Sequence, residues 1–484
     1  MKNHKNIRSF LYFCGFFKKG LVTNCTKQYN KANSEIVFIG GLFRASKKLG
    51  KDEILAAFFD EGTYTGLFAD GAVKAAYGCA GGQPVYAVCQ CGEAVCAKEL
   101  DKTAAVLEMA AKTGTPVVTF YDCAGAKLEE GLDLLAANNK LAGAIANISG
   151  VVPQVAVVLG VCGGSAALNA ACADLCVMAK DAQLFLTAPF TSDAAGDKVE
   201  NAGSAELAAK AGVASVLAED AADAVAKAAQ LIALLPSNNL AGPALFDVQA
   251  PKANFPAQYK AADAAAALAD EGSLVELFGG FGKNVYTALA AVNGSAVGIA
   301  ATEASGLCHN CVVKLSRFVR LCDAFSIPVV TVVNTNGFVP SVSDDVAGGI
   351  REAARLCATY ADATTAKVAV VAGKAVGPVY TALASADVTI ALPGAVIAPV
   401  APETAVTILY KDEIDAAESI PAATKAKAAE YVKNVCSAEA AVAAGLATMA
   451  VKADEVRGAV ASALDMTASK RVQRLPKKHG NMAL

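Results

Sequence analysis

The chain has 484 residues, 55% of them hydrophobic, no tryptophan and a formal net charge of -3, with a mean hydropathy of +0.41. That length exceeds one ordinary core and implies two domains of about 200 residues, while the near-neutral charge excludes nucleic acid or an anionic membrane as the main partner. Fifteen cysteines, an odd number set mostly in apolar runs such as Leu175-Cys176-Val177, read as small hydrophobes of a reducing cytoplasm and not as a disulfide scaffold.

Residues 1–41 stand apart. Lys2, Lys5, Arg8, Lys18, Lys19, Lys27 and Lys31 face one acid, Glu35. The apolar stretch 10–17 is short for a signal peptide and no small-residue cleavage site follows it cleanly. The segment is expected to be a disordered or non-native extension outside the fold. Beyond it, β-branched apolar runs alternate with Ala-rich stretches: a helix over 101–112, strands over 115–121 and 155–160, and a helix over 166–173. Residues 141–173 carry no charge, but Pro153, Gln154, Gly163-Gly164 and Asn169 interrupt them, so they read as strand, glycine turn and helix and not as a membrane span. Such alternation predicts an α/β fold of parallel strands with right-handed helical crossovers.

The pattern occurs twice. Asp60-Glu61-Gly62 returns as Asp270-Glu271-Gly272, and Gly82-Gln83-Pro84-Val85 as Gly294-Ser295-Ala296-Val297. Thr115-Pro116-Val117-Val118 returns as Ile327-Pro328-Val329-Val330, Val155-Ala156-Val157-Val158 as Val368-Ala369-Val370-Val371, and Ala188-Pro189 as Ala401-Pro402. Matches in constant order, with an offset drifting only from 210 to 213, define a tandem repeat. Pro236, Pro243, Pro251 and Pro256 mark a linker between the halves, which gives domains at 42–245 and 262–484.

In parallel α/β units, ligands meet the carboxyl ends of strands, where helix N-termini present free N–H groups. Two such ends stand out: Asp122-Cys123-Ala124-Gly125-Ala126-Lys127, and Gly160-Val161-Cys162-Gly163-Gly164-Ser165. Glycines there permit tight turns, and they also let two backbone N–H groups converge on one oxygen. Aimed at a thioester carbonyl, such a pair stabilises the enolate formed on loss of an α-proton. Of three histidines, His4, His309 and His479, only His309 lies within a half, so a histidine-based hydrolase is poorly supplied. Cys308-His309-Asn310-Cys311 looks metal-like but lacks a fourth ligand, and Cys89-Gln90-Cys91 with Cys96 is equally incomplete, so no metal is expected.

The stretch 122–131 resembles the D-S-G-G-A-R-x-x-E-G segment of biotin-dependent acyl-CoA carboxyltransferases, the family of propionyl-CoA carboxylase beta and methylmalonyl-CoA decarboxylase alpha subunits. The stretches 149–154 and 160–166 resemble its S-G-x-I-P-Q and G-P-C-A-G-G-A, 317–328 its R-F-V-R-F-C-D-A-F-x-I-P, and 334–340 its D-V-P-G-F-L-P. The closing Ser469-Lys470-Arg471-Val472-Gln473-Arg474 and Lys477-Lys478-His479 are similar to its terminal segments.

The resemblance implies two crotonase-like ββα-superhelix domains in a dimer or hexamer, each site lying between one subunit's first half and its partner's second. It places an acyl-CoA on the first half, with the thioester oxygen at Gly164 and Ser165 and with Gly125, Ala126, Lys127 and Gly163 around it. Carboxybiotin, borne by a separate biotin carboxyl carrier protein, falls to Pro378 and Val379, with Gly337, Phe338 and Gly377. A biotin carboxylase or a membrane decarboxylase subunit is the further expected partner, in or beside the cytoplasm. Three departures stand out: Lys127 for arginine, Ser165 for glycine, and Gly377-Pro378-Val379-Tyr380 for G-G-A-Y, where proline lacks an N–H. Pro378 leaves open a degenerate acyl-CoA-binding or scaffolding subunit, and a hydratase or thioesterase of the crotonase type is a third reading.

Overall fold

The computed structural model describes residues 48–123, 125–476 and 481. The expected extension 1–41, with His4, lies outside them, as do Ala124 and Lys477-Lys478-His479. The chain divides into two compact units, one ending at Ala233 and the other beginning at Leu234.

The first unit carries a seven-stranded sheet. Its order is Thr65–Leu67, Val73–Ala80, Gln83–Cys91, Val117–Asp122, Gln154–Val158, Leu175–Ala179 and Val216–Ala218. The first three strands are antiparallel and the rest parallel. The second unit repeats the plan with Val275–Leu277, Val285–Val292, Ser295–Thr302, Val329–Val333, Lys367–Val371, Val388–Ala391 and Met449–Ala450. Parallel strands covered on both faces read as unbroken apolar runs, and every residue of Gln154–Val158 and of Lys367–Val371 is buried. Each unit adds a small parallel pair beside the main sheet: Val161–Gly163 with Gln183–Phe185, and Lys374–Val376 with Val396–Ala398.

The repeated Asp-Glu-Gly motif has a structural cause. Gly81-Gly82 and Asn293-Gly294 close the antiparallel pairs with positive φ at both residues, 55° and 77° in one and 51° and 78° in the other, as a two-residue type I′ hairpin requires. Asp60 accepts from Gly81 N at 3.1 Å and Gly82 N at 2.9 Å. Asp270 accepts from Asn293 N at 3.0 Å, Gly294 N at 2.7 Å and the Arg457 guanidinium at 2.6 Å. Asp270 is buried and Asp60 half-buried. Asp270→Ala is therefore expected to cost about 3 kcal/mol by stranding these donors, against about 1 kcal/mol for Asp60→Ala. Denaturant unfolding of the two variants checks the order.

Where sequence and structure differ, tertiary contacts decide. The first helix expected over 101–112 runs Ala97–Thr113, starting early because the Glu130 carboxylate accepts from Ala97 N at 2.6 Å, a cap that arrives from another loop. It ends one residue later than expected, at Thr113, with Gly114 in the left-handed region at φ 64° as its C-cap. The linker carries no helix or strand, but Phe246 N donates to Gly294 O at 2.7 Å, which draws that stretch onto the unit starting at Leu234. Among the described residues no helix is long and apolar enough to cross a membrane.

Candidate active site

Strand Val117–Asp122 delivers Asp122 to the end of the first sheet. Its Oδ1 accepts from Val161 N at 3.0 Å, and a Cβ on Gly160 would lie 2.1 Å from that same oxygen. The aspartate thus fixes the first turn after strand Gln154–Val158, and Gly160 is the residue whose backbone can lie across it. The next loop is bolted down likewise: Val95 N donates to Gly125 O at 2.9 Å and Lys127 N to Val95 O at 2.9 Å. Gly125 holds φ 106°, which a side chain would disfavour.

Helix Ser165–Cys172 begins at the third element, with Gly164 as N-cap at φ 60°, ψ -128°. The Gly164 N–H is already committed to Phe185 O at 2.9 Å. Among the described residues, the N–H groups of Ser165 and Ala166 have no protein partner, as the first residues of a helix must. Of the expected Gly164–Ser165 pair, the structure thus leaves the Ser165 N–H open, with the Ala166 N–H beside it, and Gly164 makes the turn before them.

One cavity of about 830 Å³ gathers these parts. Gly125, Ala126, Lys127, Gly163, Gly164 and Ser165 all line it, so every first-half site residue expected from sequence converges there. Missing from that expectation are Glu93, Glu130 and the wall of Phe185, Leu186 and Phe190. Glu130 stood within the quoted 122–131 stretch, whereas the Phe185 wall offered only its repeated Ala188-Pro189. Lys127 is exposed at the rim. The two cysteines of the motifs are buried: burial raises the Cys123 thiol, partly offset by its hydrogen bond to Gly125, and pushes Cys162 well above the usual range. Beside the side chains of Lys127, Asn138, Ser165 and Thr187, the cavity offers a reacting oxygen the open backbone N–H groups of Ser165 and Ala166.

The second unit repeats the arrangement. Asn334 replaces Asp122, its Oδ1 accepting from Lys374 N at 3.2 Å, and a Cβ on Gly373 would meet it at 2.1 Å. Leu307 N donates to Gly337 O at 2.9 Å, and Val339 N to Leu307 O at 3.0 Å. Gly377 holds φ 59° and gives its N–H to Ala398 O at 2.8 Å. Pro378 thus matches Ser165 and Val379 matches Ala166. Only Val379 can supply a free N–H here, since proline has none. His309 does not complete a hydrolytic triad: its Nδ1 lies 2.7 Å from Asp344 Oδ1, and no hydroxyl or thiol contacts the ring among the described residues. Nor do those residues gather three or more His, Cys, Asp or Glu side chains into a metal-sized cluster.

Two sheets of matched design, each followed by a glycine turn into a helix N-terminus, define a crotonase-like fold. The carboxyl transferase domain family matches residues 50–482, and the chain belongs to it; it is a carboxyltransferase. It is 34% identical to the methylmalonyl-CoA carboxyltransferase 12S subunit of Propionibacterium freudenreichii subsp. shermanii over 430 residues, covering 83% of this chain and 82% of that one. It is 34% identical to the methylmalonyl-CoA decarboxylase subunit alpha of Veillonella parvula over 443 residues, 85% of each. The crystal structure of the transcarboxylase 12S hexamer, with methylmalonyl-coenzyme A and methylmalonic acid bound, superposes with a TM-score of 0.84 at 29% identity, covering 97% of this chain and 99% of that one.

Proposed function

We propose that this chain moves a carboxyl group between carboxybiotin on a separate carrier protein and the α-carbon of a short-chain acyl-CoA, through an enolate held by backbone N–H groups. The observation that carries the reading is the unpartnered Ser165–Ala166 pair opening into the 830 Å³ cavity. A cavity of that size suits a thioester arm. Its apolar wall of Leu134, Leu135, Phe185 and Phe190 suits a short acyl group, and Lys127 at the rim suits an anionic phosphate. In the forward direction the α-carbon loses a proton and gains the carboxyl carbon. The negative charge passes through the thioester oxygen, where two N–H donors lower the barrier.

Bound carboxybiotin would supply the carboxyl group and, once that group has left, a basic ureido nitrogen. In the second unit, Val379 N–H would hold the ureido oxygen. The Gly377 turn would orient that donor, and Gly337 and Phe338 would lie along the ring. A Cβ on Gly337 would meet nothing within 4 Å, so this cradle is open to a ligand. The partners that follow are a biotin carboxyl carrier protein, a biotin carboxylase or membrane decarboxylase subunit, and further copies of this chain. The test is acyl-CoA-dependent carboxyl exchange with free biotin or a biotinylated carrier, alongside calorimetric binding of CoA esters. Turnover of an acyl-CoA without biotin would point to a hydratase or thioesterase. Binding of CoA esters with no transfer to any carrier would point to a scaffolding subunit.

A further inference from the structure

Cys308 and Cys311 open the sixteen-residue helix His309–Ala324, and their sulfurs lie 3.3 Å apart. Cys308 is the N-cap, with φ -83°, ψ 168° and no side-chain capping bond, so it sits off the helical cylinder with its sulfur turned to Cys311 in the first turn. Cys311 is buried, at 1% exposure, while Cys308 is half-buried. The fold does not require this pair. In the first half Cys96 again precedes the matching helix Ala97–Thr113, but the residue three further on is Glu99, which accepts from Val73 N at 3.0 Å. The second half has a thiol where the first has a structural carboxylate.

We infer that Cys308 and Cys311 form a redox-active dithiol, oxidised by a hydroperoxide to a disulfide that slows carboxyl transfer. Cys308, the less buried of the two, attacks the peroxide oxygen; the O–O bond breaks, Cys308 becomes a sulfenic acid and one water or alcohol departs. Cys311 sulfur then displaces the sulfenic oxygen, which leaves as water with the Cys311 proton, and the S–S bond forms. Two thiols are oxidised and one peroxide is reduced. Burial pushes the Cys311 thiol up to about 11, which keeps it protonated and leaves the first attack to the less buried Cys308.

The effect on the site follows from geometry. A disulfide needs its sulfurs about 2.05 Å apart, so closure must pull the Cys308 end of the chain inward. The preceding Leu307 holds Gly337 and Val339 by backbone bonds of 2.9 and 3.0 Å, and Asn284 Nδ2 holds Gly306 O at 2.8 Å. A shift at Cys308 is therefore passed to the Gly337-Phe338 loop, or resisted at the expense of the helix start. This consequence rests on the reading of that loop as the carboxybiotin cradle.

Both cysteines, and no others, fall on the tryptic peptide 284–314. The purified full chain is treated with hydrogen peroxide, blocked with N-ethylmaleimide, and digested with and without dithiothreitol. The expected result is that this peptide loses two hydrogens and escapes alkylation until reduced. Carboxyl transfer falls on the order of 10- to 100-fold and returns with dithiothreitol. Cys311→Ser and Cys308→Ser should each keep their transfer activity under the same mild oxidation. A peptide that is alkylated in full after peroxide, or a disulfide that forms with transfer unchanged, overturns the proposal. If the reduced protein transfers no carboxyl group at all, the functional reading fails by itself, and the peptide still decides whether the dithiol is redox-active.

Discussion

Ser165→Pro is expected to lower the maximal rate of carboxyl transfer by on the order of 10²–10³-fold, the usual loss when one oxyanion donor is removed. Position 165 is the first residue of its helix, where proline fits without breaking an intrahelical bond, so the fold should survive and the lost group should be the N–H alone. Because that donor matters most when charge develops on the thioester oxygen, the loss belongs in kcat and not in the affinity for the CoA ester. Gly164→Val should be at least as damaging for a different reason. A side chain is strongly disfavoured at φ 60°, ψ -128°, so the turn would move and carry both Ser165 and Ala166 N–H groups with it. The measurement is steady-state transfer with a titrated CoA ester, beside circular dichroism of each variant. Undiminished turnover in Ser165→Pro would place the oxyanion site elsewhere. An equal loss with an unfolded spectrum would make Ser165 merely structural.

The repeat was legible because it is written in residues that make the same local bond twice. Asp60 and Asp270 each grip a hairpin turn; Asp174 and Asp387 each accept from the first N–H of a buried strand, Gln154 N and Lys367 N, both at 2.8 Å. Gly160 and Gly373 are each kept small by a strand-end Asp122 or Asn334 oxygen. Such motifs survive when apolar positions drift, since any Val, Ile or Ala of suitable volume fills a core. The antiparallel start of each sheet was less visible. Strands Val73–Ala80 and Gln83–Cys91 lack clean alternation because they are covered on both faces over much of their length. Which N–H groups stay open at this turn is not legible locally, because the Gly164 N–H is spent on Phe185 O, a contact between segments twenty-one residues apart. Glycine at 164 advertises a turn; nothing in the local sequence says which N–H groups the turn leaves over. The same holds for the Phe185 wall, which a chain reversal brings to the cavity and no spacing announces.

Pro378→Ala is the reciprocal experiment, and it is expected to raise carboxyl transfer by up to roughly 10²-fold. Pro378 occupies the place of Ser165: it follows a glycine of φ 59°, where Gly164 has φ 60°, and the next residue, Val379, carries the remaining free N–H. Its ring is exposed, so replacing it disturbs no core packing. Alanine is preferred to glycine because a first helical residue needs helical φ, which alanine adopts at lower entropic cost. Loss of the proline constraint on the unfolded chain should cost only about 0.4–1 kcal/mol of stability, measurable apart from activity. If the second unit holds the ureido oxygen with Val379 N–H alone, the added donor strengthens that hold as the carboxyl group leaves and charge builds on the ring. The gain should then appear in the half-reaction with biotin or its carrier. The dissociation constant of the CoA ester should stay unchanged, because the Ser165–Ala166 donors are untouched. A neutral or harmful outcome would mean that the backbone around Val379 is already adapted to one donor, leaving a new N–H at 378 pointed away from the oxygen. The double variant Ser165→Pro with Pro378→Ala separates the two sites: if each donor acts on its own substrate, the losses and gains should multiply, within about 0.5 kcal/mol of additivity.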